Sequence, residues 1–355
     1  MQKLYQQALL VMHLFQNLLA VILFRALINV RQKLFLRNEF IMNFLHIGYP
    51  KSASTFLQTR YFTKANGFFN LIEDPNWKIF FENQLLTAQS SYYFSAPPDI
   101  VVNEHEKSKI IGLSSENFLD SFSGVDLETT LQRWKNIFPK TKLLVIIRRQ
   151  DHLVYSNYLQ YLRSGYYKGV STYLKELRWN SQQSIWGRLY YDRIYEIAQN
   201  NFDHIQVLPF ELINTFDEFL TALNDFFESN VQGISPEPVR QSSTDLANNI
   251  VRAVNYVYRY GYGKSYLSVI PGSLVGSDKH KFNRIDELDP ADYKLNRYRN
   301  KLIRKIQNNI KVDFKYRQHF IQEYSNIFLE QFSTSNKKLM EMTGLDLSKY
   351  KYPGL

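Results

Sequence analysis

The segment from His46 to Phe56, HIGYPKSASTF, runs from a short apolar stretch ending in Gly48, through a turn built of Pro50, Lys51, Ser52 and Ala53, into the helix-forming TFLQTRYF. A strand that feeds a tight turn and opens a helix aims successive backbone N–H groups at one small volume, which suits phosphate. Ser52, Ser54 and Thr55 add hydroxyl donors, and Lys51 adds a mobile cation. The order is not that of an ATP-type loop. G-x-x-x-x-G-K-[ST] needs its lysine after the second glycine, whereas Lys51 follows Pro50 directly and no glycine precedes a later lysine. Taken alone, a chance strand–turn–helix would look the same.

A second stretch, LLVIIRRQDHLVYSNYLQYL, begins at Leu143. Arg148 stands where an apolar run ends, and Ser156 and Tyr158 follow on the next helical pattern. A guanidinium fork matches phosphate, and a helix-borne hydroxyl adds a neutral donor. Arg149 competes for the role if the register slips by one. The bland alternative is that both arginines merely end a strand at the surface.

Together these stretches resemble the PAPS-dependent sulfotransferases (PAPS is 3′-phosphoadenosine 5′-phosphosulfate). Their 5′-phosphosulfate loop is typically P-K-[ST]-G-T-[ST], and residues 50–55, PKSAST, match it except that Ala53 replaces glycine. Alanine is tolerated there if its φ is negative, though it narrows the room for phosphate. Arg148, Ser156 and Tyr158 fall on the family's 3′-phosphate pattern, R-x-x-x-x-x-x-x-S-x-Y. The resemblance implies that Phe56 flanks adenine and that Tyr190 contacts the nucleotide. VLPFELI, Val207–Ile213, resembles the family's strand ending in an aromatic–Glu pair, and the tail from Phe332 to Pro353 resembles the closing segment of bacterial and carbohydrate members. It covers residues 43–355.

The implied cofactor-binding set is therefore Pro50, Lys51, Ser52, Ala53, Ser54, Thr55, Phe56, Arg148, Ser156 and Tyr190. The implied reaction moves a sulfuryl group from PAPS to a hydroxyl without a metal and leaves adenosine 3′,5′-bisphosphate. Lys51 would stabilise the leaving oxygen, and Glu116, in IIGLSSENF with Ser115 beside it, is the candidate general base. Glu116 equally well caps the next turn or pairs with an arginine. His105, between Glu104 and Glu106, is the second choice of base, and Glu73 with Asp74 the third. Lys279, Lys281 and Arg284 are candidates for a late basic nucleotide contact. By analogy with similar bacterial proteins the acceptor is a glycan or glycolipid. Aromatic residues between 61 and 81 either stack on that sugar or belong to the core.

Positioning these groups requires strands over residues 43–48, 109–113, 142–147 and 204–208, alternating with helices over 127–138, 151–163, 184–200 and 216–227. Asp151 is expected to cap the second of these helices. Such alternation predicts a P-loop-like, three-layer α/β/α domain with a central parallel sheet, followed by a helical C-terminal portion. Residues 263–290 read as a long loop.

The 355 residues carry a formal net charge of +10 and no cysteine, which excludes disulfides, thiolate metal sites and cysteine nucleophiles. The basic run from Asn296 to Arg317 reads first as a solvated helix face. Residues 1–41 form an extension to the domain at 42–355. Within it Ala8–Phe24 is apolar but interrupted by His13, Gln16 and Asn17, and it is short of the roughly 20 residues of a spanning helix. Three readings stand: membrane contact through residues 8–30, a helix packed on the domain, or an over-extended start with Met42 as initiator. If the segment spans, Arg25, Arg31, Lys33 and Arg37 keep the remainder cytoplasmic. On the sulfotransferase reading no nucleic-acid partner is expected; two rival functions remain, a P-loop kinase with a degenerate loop and a basic, membrane-tethered, non-catalytic protein that binds anionic glycans or nucleic acid through residues 296–317.

Overall fold

The apolar run after Met42 forms strand β1, Met42–Gly48, whose last five residues are buried. The computed structural model describes residues 42–49, 51–93, 96–98, 110–119, 125–179, 181, 184–235, 244–262, 290–310 and 315–355, with side chains of 258–262 and 290–297 excepted. Expectations placed on residues 1–41, Pro50, Glu104, His105, Glu106, Lys279, Lys281, Arg284 and the loop over 263–289 lie outside the described residues.

Four further strands join β1: β2 (Phe68–Asn70), β3 (Ile110–Ser115), β4 (Thr141–Ile147) and β5 (His204–Pro209). They form one parallel sheet in the order β2-β3-β1-β4-β5. β3 is buried at every residue and β4 at all but Lys142. That is why both read as continuous apolar runs, since helices cover a parallel sheet on both faces. β1 lies between β3 and β4, so the chain turns one way along the sheet after β1 and the other way from β4. The crevice beyond the carboxyl ends at such a reversal is where open parallel sheets bind ligands.

The first helix among the described residues, α1 (Ser54–Phe56), widens into a π turn over Leu57–Tyr61. The others are α2 (Pro75–Phe80), α3 (Leu127–Ile137), α4 (Gln150–Arg163), α5 (Val170–Trp179), α6 (Tyr191–Gln199), α7 (Phe216–Phe227), α8 (Asp245–Tyr262), α9 (Pro290–Asn309) and α10 (Tyr316–Thr343). Among the described residues no helix is long and apolar enough to cross a membrane.

Two local expectations change. α4 starts at Gln150, so Asp151 sits inside the first turn instead of capping it. There its carboxylate accepts from the Arg149 guanidinium at 2.6 Å and from the His152 N–H at 2.7 Å. The aromatic residues between 61 and 81 are core. Tyr61, Phe62, Phe68, Trp77 and Phe81 are fully buried, and Phe62 stacks on Phe44 with 4.5 Å between ring centres and meets Phe227 edge-on at 5.5 Å. Rings enclosed in this way cannot stack on a sugar.

Candidate functional site

The turn after β1 is unusual in its backbone. Lys51 has φ 69° and Ala53 φ 62°, both left-handed. Such a conformation costs a non-glycine residue about 1–2 kcal/mol. Among the described residues only Glu228, Lys315 and Lys351 share it, so two of five cases fall within three residues of one loop. Strain of this kind gathers where a loop must present its backbone to a ligand. Ala53 occupies the position at which a glycine would carry no such cost, so the negative-φ condition for tolerating alanine is not met.

The loop is closed by the Ser52 N–H donating to the Tyr49 carbonyl at 3.1 Å. Ala53 is the residue from which α1 starts, and the first N–H groups of any helix lack partners within it. The Ser52 hydroxyl is fully buried and has no partner. Lys51 and Thr55 are half-buried. Phe56 is 5% exposed and packs against Phe216 and Phe219 of α7, with ring centres 5.7 and 6.4 Å away. It is therefore a wall of the core beside the loop, with little face left for a base.

Arg148 leaves the end of β4 and reaches this loop. Its guanidinium donates through Nη1 to the Lys51 carbonyl and lies over the Phe210 ring at 4.5 Å, while its Nε is buried without a partner. The aromatic–Glu pair after β5 explains the arrangement. Phe210 supports the guanidinium, and the Glu211 carboxylate accepts the Arg149 N–H at 3.1 Å and the Tyr352 hydroxyl at 3.0 Å. The Tyr191 hydroxyl donates to the Arg148 carbonyl. Burial holds the Arg148 guanidinium down to about 10, opposed by the Glu211 carboxylate and reinforced by the Arg317 cation. Arg149, the competitor, is engaged by Asp151.

Arg317, in the first turn of α10, is a functional candidate that nothing in its local sequence sets apart from the basic run it ends. Its guanidinium lies 5.7 Å from the centre of the Tyr155 ring on α4. Tyr155 and the Tyr316 N–H share the Asp245 carboxylate at 3.3 and 2.8 Å, which fixes the start of α10 against α4. His152 is held down to about 4, first by burial and then by the charges of Arg149, Arg148 and Arg317, against Asp151. Around His152 itself three guanidinium groups act against the one carboxylate of Asp151. Ser156 stands one turn beyond His152 on the same face of α4, half-buried.

Other expected residues lie elsewhere. Tyr190 packs on α10, its ring 5.2 Å from Phe332 and its hydroxyl 3.4 Å from Gln331 Oε1; its neighbour Tyr191 is the one facing Arg148. The Tyr158 hydroxyl donates to the Lys168 carbonyl at 3.2 Å. Asp74 caps α2 through the Asn76 and Trp77 N–H groups at 2.8 and 3.1 Å, and Glu73 is exposed. Glu116 begins the turn at the carboxyl end of β3, the strand next to β1, and is half-buried. The cap of that turn is the Ser115 hydroxyl, which accepts the Asn117 N–H at 3.1 Å. Tyr49 joins the two turns, donating to the Arg188 carbonyl while Arg188 donates to the Phe118 carbonyl at 3.4 Å. Among the described residues no group of three His, Asp or Glu side chains is placed to hold a metal ion.

Fold and site together define a parallel α/β protein in which a strand-end arginine is hydrogen-bonded to a strained strand–helix turn. No family model matches the chain, and no curated protein matches it. Among solved structures it is similar to a sulfotransferase from Alicyclobacillus acidocaldarius, with 16% identity and a TM-score of 0.38, over 63% of this chain and 96% of that one. A likeness of that degree does not bear on activity.

Proposed function

We propose that this protein is a sulfotransferase that takes a sulfuryl group from PAPS and places it on an acceptor hydroxyl. The observation that carries the reading is the hydrogen bond from Arg148 to the Lys51 carbonyl, which unites two anion-binding motifs 97 residues apart. The site suits a nucleotide bearing two separate anionic groups. One group fits the turn at Lys51–Thr55, where the Ser52 hydroxyl is buried and unpartnered. The other fits the cations of Arg148 and Arg317 with the Ser156 hydroxyl, where Arg148 Nε likewise lacks a partner. Guanidinium groups are the side chains of choice for such oxyanions.

PAPS, as donor substrate, supplies the activated sulfur. The acceptor oxygen forms the new S–O bond as the bond from sulfur to the bridging phosphate oxygen breaks, and the electron pair leaves with that oxygen. Lys51 neutralises the charge gathering there, as cations do in phosphoryl transfer. Glu116 takes the acceptor proton. A glycan or glycolipid is the acceptor class we propose.

The test is release of adenosine 3′,5′-bisphosphate from PAPS with transfer of ³⁵S to a panel of glycans and glycolipids. Glu116→Gln should retain bisphosphate binding while turnover falls about 100-fold or more, the usual share of general-base catalysis. Full turnover in Glu116→Gln would remove it as the base, and transfer independent of Lys51 would remove the loop from the chemistry.

A further inference from the structure

His46 is a polar residue inside the apolar run of β1, and it is fully buried. Its Nδ1 lies 2.7 Å from the Ser114 hydroxyl on β3. Ser114 is itself fixed on both sides of its backbone: its N–H donates to Asn70 Oδ1 at 3.2 Å, and its carbonyl accepts from Gln58 Nε2 at 3.0 Å. The other ring nitrogen, Nε2, is buried with no partner.

Nε2 is aimed at the loop. A Cβ on Gly48 would come within 3.0 Å of Nε2 and 3.3 Å of the Ser54 hydroxyl oxygen, so both atoms converge on the bare face of Gly48. Glycine here keeps open a space that any side chain would close. The Ser54 hydroxyl has only one other contact, the Tyr49 carbonyl at 3.5 Å, the far limit of a hydrogen bond. It is therefore weakly held until something else orients it.

We infer that His46 is a positioning residue that turns the Ser54 hydroxyl toward an anion bound in the loop. The Ser114 hydroxyl donates to Nδ1 and thereby places the imidazole proton on Nε2. Nε2–H reaches Ser54 Oγ through one water on the bare face of Gly48. The Ser54 proton is left to point into the loop, where an oxyanion, having only lone pairs, accepts it. A chain of donors ordered in this way strengthens each bond along it. This rests on the reading that the loop at Lys51–Thr55 holds an oxyanion, and it adds a residue behind the loop that sets the direction of one of its donors.

The experiment measures binding of adenosine 3′,5′-bisphosphate and, separately, inorganic sulfate to wild type, His46→Phe, Ser54→Ala and the double variant, by calorimetry on the full chain. Each single variant should weaken the anion by about tenfold, the worth of one hydrogen bond to a charged group. The double variant should lose little more than either single one, because both remove the same donor chain. Additive losses, or an unaltered affinity in His46→Phe, would overturn the inference. If sulfate binds and the bisphosphate does not, the nucleotide reading fails and the same comparison is read on sulfate. If neither binds wild type, the inference fails with the loop. Because His46→Phe is a core change, ¹⁵N spectra of the wild-type histidines give a second reading. A protonated Nε2 whose resonance moves on anion addition is expected, and a bare Nε2 there would contradict the donor chain.

Discussion

The Arg148 guanidinium donates to the carbonyl of Lys51, so the end of β4 holds the turn that follows β1. A single side chain thus braces the loop backbone and still keeps a buried, unpartnered Nε for another acceptor. Charge-assisted hydrogen bonds of this kind contribute about 1.5–3 kcal/mol each, comparable with the left-handed cost of Lys51 and Ala53.

Arg317 should discriminate between nucleotides. Its charge bears on Arg148 at the end of β4 and on His152 in the first turn of α4. Arg317→Ala should weaken adenosine 3′,5′-bisphosphate by roughly tenfold or more and leave 5′-AMP nearly unchanged, given the worth of one charged contact. Competition binding with the two nucleotides checks this. Equal loss for both would place Arg317 outside the 3′-phosphate contact.

Ala53→Gly should stabilise the protein. Glycine accepts φ 62° without the left-handed penalty, and its greater freedom when unfolded takes back part of the gain. The net expectation is about 0.5–1 kcal/mol, read as a higher denaturant midpoint at unchanged slope. A lower midpoint would mean that the alanine methyl makes packing contacts worth more than the strain.

Stability should fall in mild acid through His46. Burial holds its imidazole down to about 3, so between there and the ordinary histidine value the unfolded chain binds a proton that the folded protein refuses. Stability from this group is therefore complete above the unfolded value and is lost as the pH drops below it. From pH 7 to 4.5 the loss is on the order of 2–3 kcal/mol. His152, held down to about 4 chiefly by burial, acts in the same direction. Denaturation of wild type and His46→Phe at the two pH values checks this, and an equal decline in both would show that His46 does not titrate on unfolding.

Much of this arrangement is legible before any coordinates. KLLVII and NFLHIG are apolar on both faces, which only a covered parallel strand explains, and the observed strands begin or end within a residue or two of those runs. β2 escapes because three residues, Phe68–Asn70, are too short to display a period among so many aromatics. Phe56 and the rings between 61 and 81 look available in a linear reading, and only packing against Phe216, Phe219 and Phe227 shows that their faces are taken. Arg317 is hidden for the opposite reason. It ends a run of scattered cations, and nothing local marks it until the Asp245 carboxylate brings the start of α10 to Tyr155. His46 did leave a signal, a lone polar side chain in an otherwise apolar strand, although its target became visible only with the bare face of Gly48.

The most direct measurement is a thermal-shift titration with adenosine 3′,5′-bisphosphate, beside ATP–Mg²⁺ and 5′-AMP, on wild type and Arg148→Ala. A ligand that binds only the folded protein adds roughly 2.7 kcal/mol at about 100 times its Kd. Stabilisation by the bisphosphate above both comparison nucleotides, lost in Arg148→Ala, is the result expected of a PAPS site. No response to the bisphosphate, or a larger one to ATP–Mg²⁺, would contradict it.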